Sequence, residues 1–441
     1  MKINELLQPW KGDKRYTAMS ARAAALKKAR ASDEEITATI IAEFGEPPQI
    51  AELFEAPQPY TVIGEVGNGI EQAALDQLEL ALRIPVAING ALLPDAHPGY
   101  ALPVGGVVAL HNAVAPAMVG VDIACRMHLT IFAEAPDLLK RNRSALFADL
   151  QASTVFGVGA SQARRTDHAV LSDPRWDAVG ILRGMKQLAA NQIGTSGGGN
   201  HFAEIVVGER MSDDADLPVQ FLGLLTHSGS RGIGHRIAQH YMRVAAQETA
   251  LHARVPRMYE WLDLDSEAGQ EYWTAMHIAG DFAQANHEII HAKFIRRSGL
   301  TPLHTIEHPH NFAWRDGDRI IHRKGATPAE LGTLGIIPGS MASASYLVEG
   351  RGAATTLESA SHGAGRIGSR TKAREQINLK EVQKYLAARD ILVAGLNVEE
   401  APQAYKDIEQ VIQLQIAADL IRPLARMHPV AVIMSGDRGE D

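Results

Sequence analysis

The chain has 441 residues, 46% of them hydrophobic and 21% charged, a composition that excludes general disorder and suits either about three ordinary domains or one large body. Cys125 is the only cysteine, so an internal disulfide scaffold is excluded. A net charge of −8 argues against a protein that coats nucleic acid non-specifically, yet it leaves room for a local basic patch that grips a strand end.

In chain order, residues 17–44 are rich in Ala, Lys, Arg and Glu at helical spacing and end at Gly45 before Pro47-Pro48, which predicts one or two helices ahead of the main body. From Tyr60 to Phe132 short β-branched runs punctuated by Gly and Pro (TVIGEV, VGGVVAL, MVGVDIA, HLTIF) read as strands. Residues 137–192 look mainly helical, strands return at FAEIVVG and VQFLGLLTH, and a long helical pattern runs from Gly232 to Arg297 with breaks near Pro256 and 263–265. Residues 301–370 are strand-like and Gly-rich, and 380–427 are helical again except for ILVAG. No repeat is present, and the irregular alternation favours a single mixed α+β body with central sheets flanked by helices. The expected division is a helical extension over 1–55 and a catalytic domain over 56–441.

The first residues contain no apolar signal-peptide core. The one long uncharged stretch, 99–121, is interrupted by Pro103, Gly105, Gly106, His111, Asn112 and Pro116, so it reads as buried strands and turns rather than a membrane span. A soluble, cytoplasmic protein with no membrane contact is expected. Small basic clusters occur at Lys140-Arg141 with Arg143, Arg164-Arg165, Arg296-Arg297, Arg323-Lys324 and Arg366 to Arg374. Each is by default a solvated face.

Among the 18 histidines, several sit beside small and acidic residues, in PDAHPG (94–99), GGGNHFAE (197–204), THSGSRG (226–232), HPHN (308–311) and SHGAGR (361–366). Small neighbours let backbone amides approach a phosphate or a metal. Asp122 and Cys125 lie three residues apart at the end of an apolar run, where the thiol is either a ligand or a small hydrophobe. One Cys, one Asp and several His suit a transition metal, and ligand softness by itself favours zinc over manganese. Residues 287–291 match H-E-x-x-H on a helical pattern, with Glu307 the one glutamate in reach as a further ligand. A His-rich chain produces that pattern by chance, and a peptidase is not expected. Neither a Walker A motif nor a Rossmann fingerprint exists, so any nucleotide site is of another kind.

Taken in order, PDAHPGYALPVGG, VGVDIAC, GTSGGGNHFAE, HSGSRGIG, HRKGAT, IIPGSMASASY, SASHGAGR and EEAPQAYKDI resemble the RtcB family of GTP-dependent RNA ligases, over residues 60–436. The resemblance implies joining of an RNA 3′-phosphate, or a 2′,3′-cyclic phosphate after hydrolysis, to a 5′-hydroxyl in RNA repair or tRNA splicing, with GTP and two Mn2+ ions. It implies that Cys125 bridges two metals, one completed by His227 and His310 and the other by Asp122 and His201. It makes His362 the nucleophile that carries GMP, and Asp95 an acidic residue that assists a late step. Asn200, Glu204, Asn311, Ser340, Ser345 and Tyr405 match nucleotide-contacting positions. The block residues His201, Phe202, Ala203, His310, Pro338, Gly339, Met341, His362, Gly363, Ala364 and Gly365 complete the implied nucleotide site. RNA is the implied partner, with archease as a stimulating protein. Arg231 is either a phosphate ligand or half of a structural ion pair.

Two departures mark a divergent paralogue. The family's terminal Lys-Gly is replaced by Ser435-Gly436, and the small residue after the cysteine is replaced by Arg126, a cation that repels a metal, recruits a phosphate or points away. They leave two alternatives standing: a metal-dependent phosphoesterase acting on RNA ends without guanylylation, and a non-catalytic protein that binds RNA ends.

Overall fold

Helices Tyr16–Lys28 and Asp33–Phe44 form the N-terminal stretch, as its spacing predicts. Ser32 starts the second by accepting from the Glu35 amide while the Glu35 carboxylate accepts from the Ser32 amide, a reciprocal capping box. With Leu6, Leu7 and Trp10 the two helices enclose a small core of Met19, Ala23, Ile36 and Ile40, separate from the other cores. Their basic residues pair largely within the unit, Arg22 with Glu43 and Arg15 with Asp13. This computed structural model describes every residue except 12, 14, 48, 49, 164, 165, 214, 215 and 437–441; Pro48 and the Arg164-Arg165 pair therefore lie outside the described residues.

Two sheets make up the body. The first orders its strands Tyr60–Val62, Ala87–His97, Val104–His111, Arg319–Lys324 and Asn311–Asp316, antiparallel except for the first pair. The second runs Pro302–Pro309, Arg126–Phe132, Gln220–Ser228, Phe202–Arg210, Ile421–Met434, Ser345–Gly350 and Leu334–Ile337, with Leu392–Ala394 added in parallel against Ile421–Met434. Helices Arg231–Thr249 and Glu267–Ser298 pack beside this sheet around Ile237, Tyr241, Tyr272 and Phe282. The interruption between them falls where Pro256 and 263–265 place it. Among the described residues, no helix is long and apolar enough to cross a membrane.

The structure corrects three local expectations. MVGVDIA is not a strand: helix Pro116–Val119 ends at Gly120 (φ 93), and the chain then turns so that the Cys125 amide donates to the Asp122 carbonyl at 3.2 Å. Residues 137–192 are helical only in pieces, chiefly Leu139–Gln151 and Lys186–Gln192. The helical reading of 380–427 fails at its end, because helix Ile408–Ala417 gives way to the 14-residue strand Ile421–Met434. Pro423 and Pro429 lack the N–H a helix or a ladder needs, and each sits beside a register shift in that strand, where a missing donor costs little.

Because the N-terminal core is self-contained, Trp10→Ala should remove roughly 3–5 kcal/mol from that unit alone. That is enough to unfold so small a unit, so amide exchange should rise across residues 3–44 and stay unchanged in both sheets. Loss of protection in the sheets as well would show a shared core.

Candidate metal and nucleotide site

One end of the second sheet carries a set of metal-ligand side chains, and strand register puts them there. Arg126 pairs with both Ser228 and Pro309, and Phe202 pairs with His227, so Cys125, His201, His227 and His310 emerge at the same edge from four adjacent strands. Cys125 Sγ lies 3.3 Å from His201 Nε2 and 3.0 Å from His227 Nε2. His227 Nε2 is 3.1 Å from His310 Nε2, and His201 Nε2 is 2.9 Å from Asp122 Oδ2.

Proton bookkeeping explains what this cluster is for. His201 Nδ1 donates to the Ser196 carbonyl (2.8 Å) and His227 Nδ1 donates to the Asn200 carbonyl (3.2 Å), since a carbonyl can only accept. In the neutral rings both Nε2 atoms then carry lone pairs, which face a thiol sulfur, a carboxylate oxygen and each other. Acceptors facing acceptors is the arrangement a cation satisfies, with the outer carbonyls setting the tautomer. Burial, then the neighbouring histidines, push His227 down to about 3 and His310 well below the usual range, which keeps those rings neutral. Burial and then the Asp122 charge hold the Cys125 thiol well above its ordinary value, so a thiolate there needs a cation beside it. The donor set fits one or two transition-metal ions.

A cavity of about 620 Å³ opens beside the cluster. Of the residues the sequence singles out, Asp122, Cys125, Asn200, Phe202, Glu204, His227, His310, Asn311, Pro338, Gly339, Ser340, Met341, Ser345, His362, Gly363, Ala364, Gly365 and Tyr405 line it. His201 reaches the cluster without lining the cavity. Ala203 does not belong to the site: strand alternation turns it into the apolar core with Ile205 and Leu222.

His362 follows strand Ser359–Ser361, and its Nδ1 donates to Asp95 Oδ2 at 2.8 Å, which leaves the Nε2 lone pair free. Asp95 is fully buried behind His362, off the cavity wall, so it can orient the ring but offers no surface to a substrate hydroxyl. Burial works against its charge, but the His362 hydrogen bond and charge outweigh it and hold the carboxyl below its ordinary value. Lys406 Nζ donates to the Pro94 and Ala96 carbonyls on either side of Asp95. Gly365 (φ 75) comes so close that a Cβ would stand 2.1 Å from the Asp95 carbonyl oxygen, which seats the His362 loop on that strand.

Glu204 shares the cavity wall with Phe202, Met341, Val432 and Met434, has no salt bridge among the described residues, and burial pushes it up to about 8. Tyr405 donates to Glu400, which also takes Arg366 at 3.3 Å. Sequence reasoning assigned no role to Lys324, a cavity-lining cation whose Nζ lies beneath Gly120, nor to the Glu399-Glu400 pair that gathers Arg366, Arg370 and Arg374. The signal for Lys324 was its place in HRKGAT.

The remaining open points are settled by contacts. Arg126 points away from the cluster, donating to Glu307 (3.3 Å) and to the Gly280 carbonyl (3.0 Å). Arg231 forms no salt bridge among the described residues, although the Asp122 charge acts on it; it lies against Gly197 and donates weakly to Thr195 and the Gly157 carbonyl. The H-E-x-x-H pattern holds no metal-ligand set: Glu288 faces outward to His168, and His287 and His291 are buried in a hydroxyl relay. His287 Nε2 donates to the Ser228 carbonyl (3.2 Å), Thr226 donates to His287 Nδ1 (2.6 Å), His291 Nε2 donates to Thr226 (2.8 Å), and Thr130 donates to His291 Nδ1 (2.8 Å). Since Thr226 and Ser228 flank His227 and face the opposite side of the sheet, His287 grips the ligand's strand from behind.

Comparison with known proteins returns a single family across most of the chain. The family model described as tRNA-splicing ligase RtcB matches residues 77–435. The chain is 32% identical to the tRNA-splicing ligase RtcB of Nanoarchaeum equitans, across 78% of this chain and 87% of that protein. It is 32% identical to the RNA-splicing ligase RtcB2 of Escherichia coli strain ATCC 25922 (82% and 92%) and 29% identical to the RNA-splicing ligase RtcB of E. coli K12 (83% and 95%).

Two outcomes follow from these contacts. Replacing Thr226 by Val, or His287 by Phe, should weaken Co2+ binding about tenfold or more, read from the thiolate-to-cobalt absorption band, whereas Glu288→Gln should leave it unchanged. Glu204 keeps its proton in the folded chain up to about 8, while an unfolded glutamate releases it near 4.5, so its contribution to stability falls as pH rises through that window and is lost above it. Glu204→Gln should therefore match the parent below about pH 4 and exceed it by about 5 kcal/mol near pH 9 in denaturant titrations.

Proposed function

Because the chain belongs to the RtcB family of RNA-splicing ligases, we propose that it joins RNA 3′-phosphate or 2′,3′-cyclic phosphate ends to 5′-hydroxyl ends through a GMP adduct on His362. The observation that carries this reading is the buried Asp95–His362 pair: it fixes the proton on Nδ1 and leaves Nε2 as a nucleophile on the wall of a cavity that also holds the metal-ligand cluster.

On this reading, Nε2 attacks the α-phosphorus of GTP, the bond to pyrophosphate breaks, and the positive charge the ring gains lies beside the Asp95 carboxylate. An oxygen of the RNA 3′-phosphate then attacks the same phosphorus, breaking the P–N bond and restoring His362. The 5′-hydroxyl attacks the RNA phosphorus, and GMP leaves. Cys125 would be shared between two manganese ions, one with His227 and His310 and the other with Asp122 and His201. Such ions neutralise charge on phosphate oxygens. Arg231, held by no salt bridge among the described residues, suits an RNA phosphate. Residues 56–441 form the catalytic body of a cytoplasmic enzyme that archease can stimulate, and in the extension 1–55 the helical residues 17–44 contact RNA or shield the cleft. Ser435, at the end of strand Ile421–Met434 beside the cavity-lining Met434, makes base choice the property in which a divergent paralogue differs most.

Intact mass after incubation with Mn2+ and each of the four NTPs tests this. A GMP adduct is expected, absent in His362→Ala. An adduct from another NTP would establish altered base choice, and no adduct in metal-loaded protein would overturn guanylylation and favour a phosphoesterase acting on RNA ends.

A further inference from the structure

The segment that holds the nucleophile continues into an exposed aromatic side chain. Five residues after Asp95, Tyr100 stands in the 98–103 loop between strands Ala87–His97 and Val104–His111, on the cavity wall and 54% exposed. Among the described residues only Phe54 and Tyr100 are exposed large aromatics, and Phe54 is not on the cavity.

The loop beneath Tyr100 is built to be rigid. Gln77 Nε2 donates to the carbonyls of Gly99 (2.9 Å) and Tyr100 (3.2 Å), and the Gly99 amide donates back to Gln77 Oε1 (2.9 Å). Ala101 and Leu102 are fully buried just after it. The backbone is thus fixed from below while the ring is left in solvent, and its hydroxyl bonds to no described residue. An apolar face presented this way has paid its ordering cost in advance, which is what a stacking platform requires.

We infer that Tyr100 is the platform on which the 3′-terminal base of the RNA stacks as its phosphate enters the cavity toward His362. This rests on the ligase reading. The nucleotide cavity offers Glu204 and Tyr405 in its interior for GTP, whereas Tyr100 lies at the solvent side, where an RNA strand has to leave the protein. Stacking reads no base identity, because every base has a π-face, so the platform serves ends of any sequence.

The test is fluorescence anisotropy of a short single-stranded RNA 3′-phosphate, intact or abasic at its terminal nucleotide, with the full chain in Mn2+ and without GTP. Tyr100→Ala should weaken the intact RNA about 5- to 100-fold, Tyr100→Trp should retain affinity, and Tyr100→Leu should behave like Ala. The parent should lose about as much affinity for the abasic RNA as Tyr100→Ala loses for the intact one, and Tyr100→Ala should not distinguish the two RNAs. Equal binding by Tyr100→Ala, full affinity in Tyr100→Leu, or an undiminished abasic effect in Tyr100→Ala would each overturn the platform while leaving the ligase reading intact. A parent chain that binds no RNA and forms no GMP adduct by intact mass would overturn both.

Discussion

At the metal-ligand cluster and at His362, three imidazoles donate a proton from Nδ1 to a fixed oxygen: His201 to the Ser196 carbonyl, His227 to the Asn200 carbonyl and His362 to the Asp95 carboxylate. Each bond settles a tautomer, and each leaves a lone pair on Nε2 at the reactive side. Two of those lone pairs converge with Cys125 and Asp122 on a point that suits a cation, and the third stands on the wall of the cavity. If one of these rings turned over, a donor would stand on the reactive side in place of its acceptor.

Holding those protons in place takes support from outside the cavity, and it comes in a repeated form. The long helix Glu267–Ser298 sends His287 to the residues on both sides of His227, and Lys406 binds the carbonyls on both sides of Asp95. Gripping the two neighbours fixes a residue's backbone without occupying its own side chain. Both supports are hydrogen-bonded, His287 fully buried and Lys406 half-buried, so they resist displacement.

The two positions where the chain departs from its family differ in consequence. Arg126 is absorbed by Glu307 and the Gly280 carbonyl on the far side of the sheet, so it adds no charge to the metal cluster. Ser435, where the resemblance expects a lysine, follows Met434, a residue of the cavity wall. Arg126 is thus held by structural contacts, whereas Ser435 stands next to the cavity.

The linear sequence by itself determined much of this protein: the α+β class, both N-terminal helices, the break near Pro256 and the ligand types, because periodicity, capping residues and Gly-flanked histidines are local signals. Eight ordered motifs also carried the family. What only the tertiary structure decided is which of many histidines converge. His287 and His291 carry a stronger ligand pattern than His227 or His310, yet the former pair is consumed by Thr226 and Thr130 while the latter meet Cys125 across four adjacent strands. The turn at 121–125 and the strand over 421–434 were hidden for the same reason. Each takes its shape from long-range partners, Asn311 whose carbonyl binds the Ala124 amide in one case and the two flanking strands in the other, and no local propensity reports a contact made that far along the chain.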